Sequence, residues 1–161
     1  MAMDVVDLEA VAPYMQGLMF EDFKIGSRFK TASRTITESD LVTFVGIAGL
    51  NEPLFLDADG ARAASYSGRL VPAALTFAYA EGLVMQSGII HGTGTAFLGA
   101  DVKIASPLFV GDTITVVIQV TACRPAKTGG RGIVTTVNQV VKRNRSVVMT
   151  YTPLRMIRGR S

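Results

Sequence analysis

The sequence predicts an α+β fold in which one early strand and a set of helices precede four consecutive antiparallel strands. Three observations carry that prediction. Residues 72–87 are apolar nearly all round, the composition of a buried helix. Beyond Gly92 the pattern becomes that of strands, rich in Val, Ile and Thr over about 94–105, 113–124, 131–142 and 146–157. Gly111-Asp112, Lys127-Thr-Gly-Gly130 and Arg143-Asn-Arg145 supply the tight turns that join these strands into a meander.

The elements follow in order. Residues 1–20 have loosely helical apolar spacing interrupted by Pro13, which predicts a docking segment ahead of a domain over 21–161. Phe29 to Ile36 has the composition of a strand. Thr37-Glu-Ser-Asp40 is a capping box: the threonine oxygen accepts an N–H one turn in, and the acid sits at the positive helix end. Leu41, Val42, Phe44, Val45 and Ala48 give that helix an apolar face, and Gly49 ends it. Asp57 or Asp59 caps a second short helix through Ala61–Ala64. Ser67-Gly68-Arg69 breaks the chain before the long helix, and Pro72 suits the first turn of that helix because its missing N–H is not needed there.

Composition bounds the function. With 161 residues and a 48% apolar share, the chain makes one domain with a real core. No apolar run reaches the ~18 residues of a membrane span, and the acidic start is unlike a secretory signal. A single cysteine, Cys123, excludes an intrachain disulfide and suits a reducing compartment, so a cytoplasmic location is expected. The net charge is +3, and 11 of the 16 basic residues are arginine. No aromatic residues interleave with the terminal arginines, and neither a helix-turn-helix nor zinc-ligand spacing is present. Nucleic acid and metal are therefore not expected partners.

Several stretches carry a resemblance. Phe20-Glu-Asp-Phe-Lys-Ile-Gly, Ile36-Thr-Glu-Ser-Asp-Leu, Gly68-Arg-Leu-Val-Pro-Ala-Ala-Leu and Pro107-Leu-Phe-Val-Gly-Asp-Thr are similar, in order, to segments of the MaoC-like hydratases and dehydratases. That family implies the hotdog fold, a curved antiparallel sheet wrapped around a central helix (about 72–87), matching from about residue 21 to 158. It also implies an acyl thioester substrate, with coenzyme A entering only as part of that substrate and no separate cofactor. Ile47-Ala-Gly-Leu-Asn-Glu-Pro-Leu-Phe-Leu-Asp57 resembles the family's Ser-Gly-Asp-x-Asn-Pro-x-His signature. Leu50 then stands where the family has its general-base aspartate, and Phe55 where it has histidine. Neither moves a proton.

The resemblance implies further site residues. N–H groups of Ala73 and Ala74, at the start of the central helix, would hold the thioester oxygen as enolate charge develops. Leu50 and Phe55 would make the pocket more apolar than a hydratase site, suiting a hydrophobic or ring-bearing acyl group. Replacement acids are Glu52, Asp57 and Glu81, each with a bland alternative: Glu52 facing solvent, Asp57 capping the next helix, Glu81 paired with an arginine such as Arg69. Lys103, Lys127 and Arg131 are candidates for the coenzyme phosphates, or ordinary solvated strand charges. His91, the sole histidine, reads as a loop residue, Cys123 as a strand thiol and Tyr79 as core.

Three functions compete. One is an acyl-CoA hydratase or dehydratase with a rearranged acid set. Another is a non-catalytic subunit that binds acyl-CoA or completes the site of an intact homologue in a hetero-oligomer. The third is a thioesterase using Glu81. Each is expected to be at least a homodimer, because a lone unit leaves a sheet edge and a helix flank to bury.

Overall fold

The computed structural model describes residues 15–127 and 129–160; residues 1–14 of the expected docking segment lie outside them. Strand β1 (Arg28–Thr35) leads into helix α1 (Glu38–Ala48), two short helices α2 (Pro53–Leu56) and α3 (Ala58–Ala63), and the long helix α4 (Ala73–Gln86). Strands β2 (Gly94–Ile104), β3 (Thr113–Pro125), β4 (Arg131–Lys142) and β5 (Val147–Arg158) complete one antiparallel sheet in the order β1-β3-β4-β5-β2. The expected α+β order is therefore the observed one.

Local chemistry sets the boundaries. The Thr37 side chain accepts from Asp40 N at 3.2 Å while Asp40 Oδ2 accepts from Thr37 N at 2.8 Å, closing the predicted capping box. Gly49 ends α1 in the left-handed region, at φ 68°, a conformation that costs any residue with a Cβ. Pro53 opens α2 as its first helical residue, a one-turn helix that the apolar pattern did not announce. Pro72 is the residue before α4 rather than its first turn; its extended backbone feeds a helix that begins at Ala73.

Over 113–120 every second residue of β3 is buried: Ile114, Val116 and Ile118 join the core beneath α4, and Val120 a second cluster with Phe23, Val134 and Ile157. Val140, Met149 and Tyr151 join Leu75, Ala80, Leu83 and Val84 of the helix in the main core. The expectation that α4 is buried all round is corrected: Ala74, Ala78 and Met85 are exposed. The reason lies in the sheet order. β2 is the edge strand next to β5, and its core-facing residues Phe97, Val102 and Ile104 are left 45–53% exposed beside that open helix flank.

Residues 15–19 form no helix. They dock on the turn after α4 through Gly17 N to His91 O (2.8 Å) and Leu18 N to Ile89 O (2.9 Å). A Cβ on Gly17 would lie 2.4 Å from His91 N, so the close approach requires glycine. No helix among the described residues is long and apolar enough to cross a membrane.

Candidate active site

A cavity of about 290 Å³ opens at the N-terminus of α4. Ala73 and Thr76 form its helix side, Ile104, Ala105 and Ser106 close it from the end of β2, and Tyr66 guards the approach. Two local bonds shape this wall. Val71 N donates to Leu108 O at 2.8 Å, tying the helix start to the loop after β2, and Ala105 N donates to Val148 O at 2.8 Å. Phe109 stacks edge-on against Tyr66, with centroids 6.3 Å apart.

The start of α4 carries no side-chain cap. Its first internal backbone bond is Thr76 N to Pro72 O, 3.0 Å, which leaves the preceding helical N–H groups, including those of Ala73 and Ala74, outside the intrahelical ladder. An uncapped helix end beside an apolar cavity is an electropositive point in a low-polarity setting. No Asp, Glu or His lines the cavity. Its only side-chain polar groups are hydroxyls, and those of Thr76 and Ser106 are already donated to Pro72 O and Val147 O.

The loop that holds Leu50 and Phe55 lies outside this lining. Both residues are half-buried, and Glu52 is exposed immediately before α2. Asp57 accepts from Gly60 N at 2.6 Å and thereby caps α3, the bland alternative for that residue. Arg69 holds the loop in place by donating twice to Phe55 O, at 2.8 and 3.2 Å, and by pairing with Glu38.

Glu81 is paired, but not with Arg69. Its carboxylate accepts from Arg155 Nη2 at 2.5 and 2.7 Å and from the Tyr151 hydroxyl at 2.7 Å. Arg69 lies ahead of α4 and is engaged by Phe55 O and Glu38 instead. Arg155, on the inner face of β5, sits directly across from the helix. Burial, then the Glu81 charge, pushes the Tyr151 hydroxyl well above its ordinary range, so it remains a donor. Phe97 completes this group, 5.6 Å from the Arg155 guanidinium. Sequence reasoning missed Arg155 and Tyr151, although a signal existed. They alternate with Met149 and Ile157 on the core face, and an arginine there demands a buried acid.

Tyr79 is more than core. Its hydroxyl donates to Asp40 Oδ1 at 2.6 Å, and the Arg34 guanidinium lies 3.9 Å over its ring while also bonding Asp40 at 2.9 Å. Burial pushes the Asp40 carboxyl upward, but hydrogen bonds from Tyr79, Thr37 and Arg34 outweigh it and hold it down at about 2. His91 is exposed in the turn after α4. Cys123 is half-buried 3.5 Å from Phe23 O, and burial raises its thiol, the opposite of an activated nucleophile. Lys103 lies on β2 near the cavity end of the sheet, whereas Lys127 and Arg131 lie at the opposite end, so one chain does not bring all three together. No cluster of potential metal ligands occurs among the described residues.

A sheet of this order wrapped on one long helix defines a hotdog-fold protein. A Mycobacterium tuberculosis protein described as a double hotdog fold superposes with a TM-score of 0.79 at 22% identity, covering 89% of this chain and 45% of its own. The family profile described as "FAS1-like, dehydratase domain region" matches residues 24–151. A MaoC-like dehydratase structure from Rhodospirillum rubrum matches with a TM-score of 0.83 and 26% identity, over 90% of this chain and 99% of that one. An (R)-specific enoyl-CoA hydratase of the same organism is 28% identical over 108 residues, 67% of this chain and 73% of the relative. The chain belongs to the MaoC-like hydratase and dehydratase family.

Proposed function

We propose that this protein binds an acyl thioester, its acyl group in the cavity at the start of α4 and its carbonyl oxygen on the N–H groups of Ala73 and Ala74. The observation that carries this reading is the uncapped helix start opening on an apolar cavity of about 290 Å³, close to the lower size of small-molecule pockets. Hydration of an enoyl thioester needs one group to move a proton at the α-carbon and another to activate water at the β-carbon. Leu50 and Phe55 can do neither, and Glu52, Asp57 and Glu81 do not line the cavity.

That last observation favours a specific form of the reading: a subunit that binds the thioester, while a homologue with an intact Asp-x-x-x-x-His pair supplies proton transfer. Self-association or association with such a homologue uses the β2 edge, where Phe97, Val102, Ile104 and Met85 present an uncovered apolar flank.

The test follows loss of enoyl absorbance with crotonyl-CoA and longer or aromatic enoyl-CoAs, alongside titration of a saturated acyl-CoA. Binding without turnover by the chain alone is the expected result. Turnover abolished by Glu52→Gln or Asp57→Asn would instead establish a rearranged hydratase, and absence of binding to any acyl thioester would refute the reading.

A further inference from the structure

Three arginines share the outer face of the sheet at the end remote from the cavity. Arg131 and Arg158 are direct register partners on β4 and β5, so their side chains leave the same face opposite one another. Arg124 on β3 faces Ile133, two residues along from Arg131 and on that same face. The neighbours confirm the side: Val134 and Cys123, the inward residues between them, pack in the second core cluster.

Like charges opposite each other on adjacent strands repel. None of the ion pairs among the described residues includes Arg124, Arg131 or Arg158. At this end of the sheet Asp22 pairs with the Arg160 guanidinium, while Glu21 accepts the Arg160 backbone N–H. Arg131 is nonetheless held over the sheet. Arg131 Nη1 lies 3.9 Å from Met156 Sδ, and Ile133, though facing outward, is only 7% exposed. Lys127 adds a further positive charge in the turn between β3 and β4.

We infer that Arg124, Arg131 and Arg158 form a binding site for a phosphate-ester anion. Forked guanidinium groups carried on one face of three adjacent strands match phosphate oxygens, and a bound dianion would remove the repulsion between Arg131 and Arg158. Two sources share this chemistry. One is the nucleotide end of a coenzyme A thioester, which rests on the acyl-thioester reading; the other is a separate phosphorylated small molecule. Met149 at the cavity and Arg158 lie nine residues apart on β5, roughly 30 Å, so a coenzyme reaching both must run the length of the sheet or cross subunits. An antiparallel pairing of two β2 edges would carry the partner's Arg158 to the cavity end of this chain, about two strand spacings or ~10 Å to the side.

The test titrates inorganic pyrophosphate and adenosine 3′,5′-bisphosphate into the full chain and into Arg131→Gln/Arg158→Gln at low salt, by calorimetry and thermal melting. Both anions should raise the wild-type melting temperature. The double variant should bind them about tenfold or more weakly, yet melt no lower without ligand because the repulsion is gone. Equal binding by the two proteins, or no response of the wild type to either anion, overturns the proposal. Acyl-pantetheine, which lacks the nucleotide and its phosphates, distinguishes the sources: acyl-CoA binding more tightly than acyl-pantetheine in the wild type alone assigns the site to the coenzyme. Equal affinity of the two thioesters, with pyrophosphate still bound through the arginines, assigns it to a separate ligand. Failure of acyl-pantetheine to bind would count against the thioester reading and leave the anion result standing.

Discussion

Glu81 on the central helix accepts from Arg155 on β5 at 2.5 and 2.7 Å, the one ion pair that joins α4 to the sheet's inner face among the described residues. With Tyr151 on the same carboxylate, the pair occupies the acid that a thioesterase reading would need free. A carboxylate so engaged ties the helix to the sheet.

Glu81→Gln should therefore cost stability, because it leaves the buried Arg155 charge without its counter-ion. We expect a loss of about 3 kcal/mol in urea unfolding. Glu81→Met with Arg155→Met should recover most of that loss, since a buried pair can be replaced by apolar side chains of similar volume. Additive losses in the double variant would mean that the two residues act independently. Wild-type protein should release no free thiol from acyl-CoA above background.

Asp40 predicts a pH dependence. Its carboxyl is held at about 2 in the fold against an ordinary value of 3.8, so it contributes stability that is fully present above pH 4 and disappears as pH falls through about 2. The difference corresponds to about 2 kcal/mol. Asp40→Asn should be less stable than wild type by that order at pH 7, and the gap should close between pH 4 and pH 2. A constant gap across that range would show that the carboxylate charge is not the cause.

The cavity gives a third prediction. Ala105 is exposed and lines it, so Ala105→Trp should fill the space while leaving the Ala105 N to Val148 O bond intact. Affinity for an acyl-pantetheine should fall at least about tenfold, roughly 1.4 kcal/mol, with the melting temperature within a few degrees of wild type. Undiminished affinity in the folded variant would place the acyl group elsewhere.

At the sheet edge, Val102 faces the helix side yet is 45% exposed. Val102→Glu should weaken self-association about 100-fold, some 2.7 kcal/mol, because two carboxylates would be driven into an apolar two-fold contact. Sedimentation equilibrium reads the effect directly. An unchanged dimer constant would move the interface off β2.

Much of the fold was legible in local chemistry. The Thr37–Asp40 box, Gly49 and the Gly111-Asp112 turn each act within a few residues, and strand alternation on β3 follows from the two-residue period alone. The same locality is why Leu50 and Phe55 in one loop can be compared with the family's signature from the order of residues alone. Asp57 had two open readings because capping and catalysis ask for the same residue type; only the 2.6 Å bond to Gly60 N assigns its cap.

What the sequence determined by itself was therefore short-range: element order, helix ends and the α+β class. Tertiary structure decided which distant residues meet. It chose Arg155 rather than Arg69 for Glu81, joined Tyr79 to Asp40, separated Lys103 from Arg131, and set Arg131 beside Arg158. The physical reason is that these pairings depend on sheet order and strand register, which fix contacts across 25 to 74 residues of chain through the sum of many weak packing terms. No local motif encodes that sum.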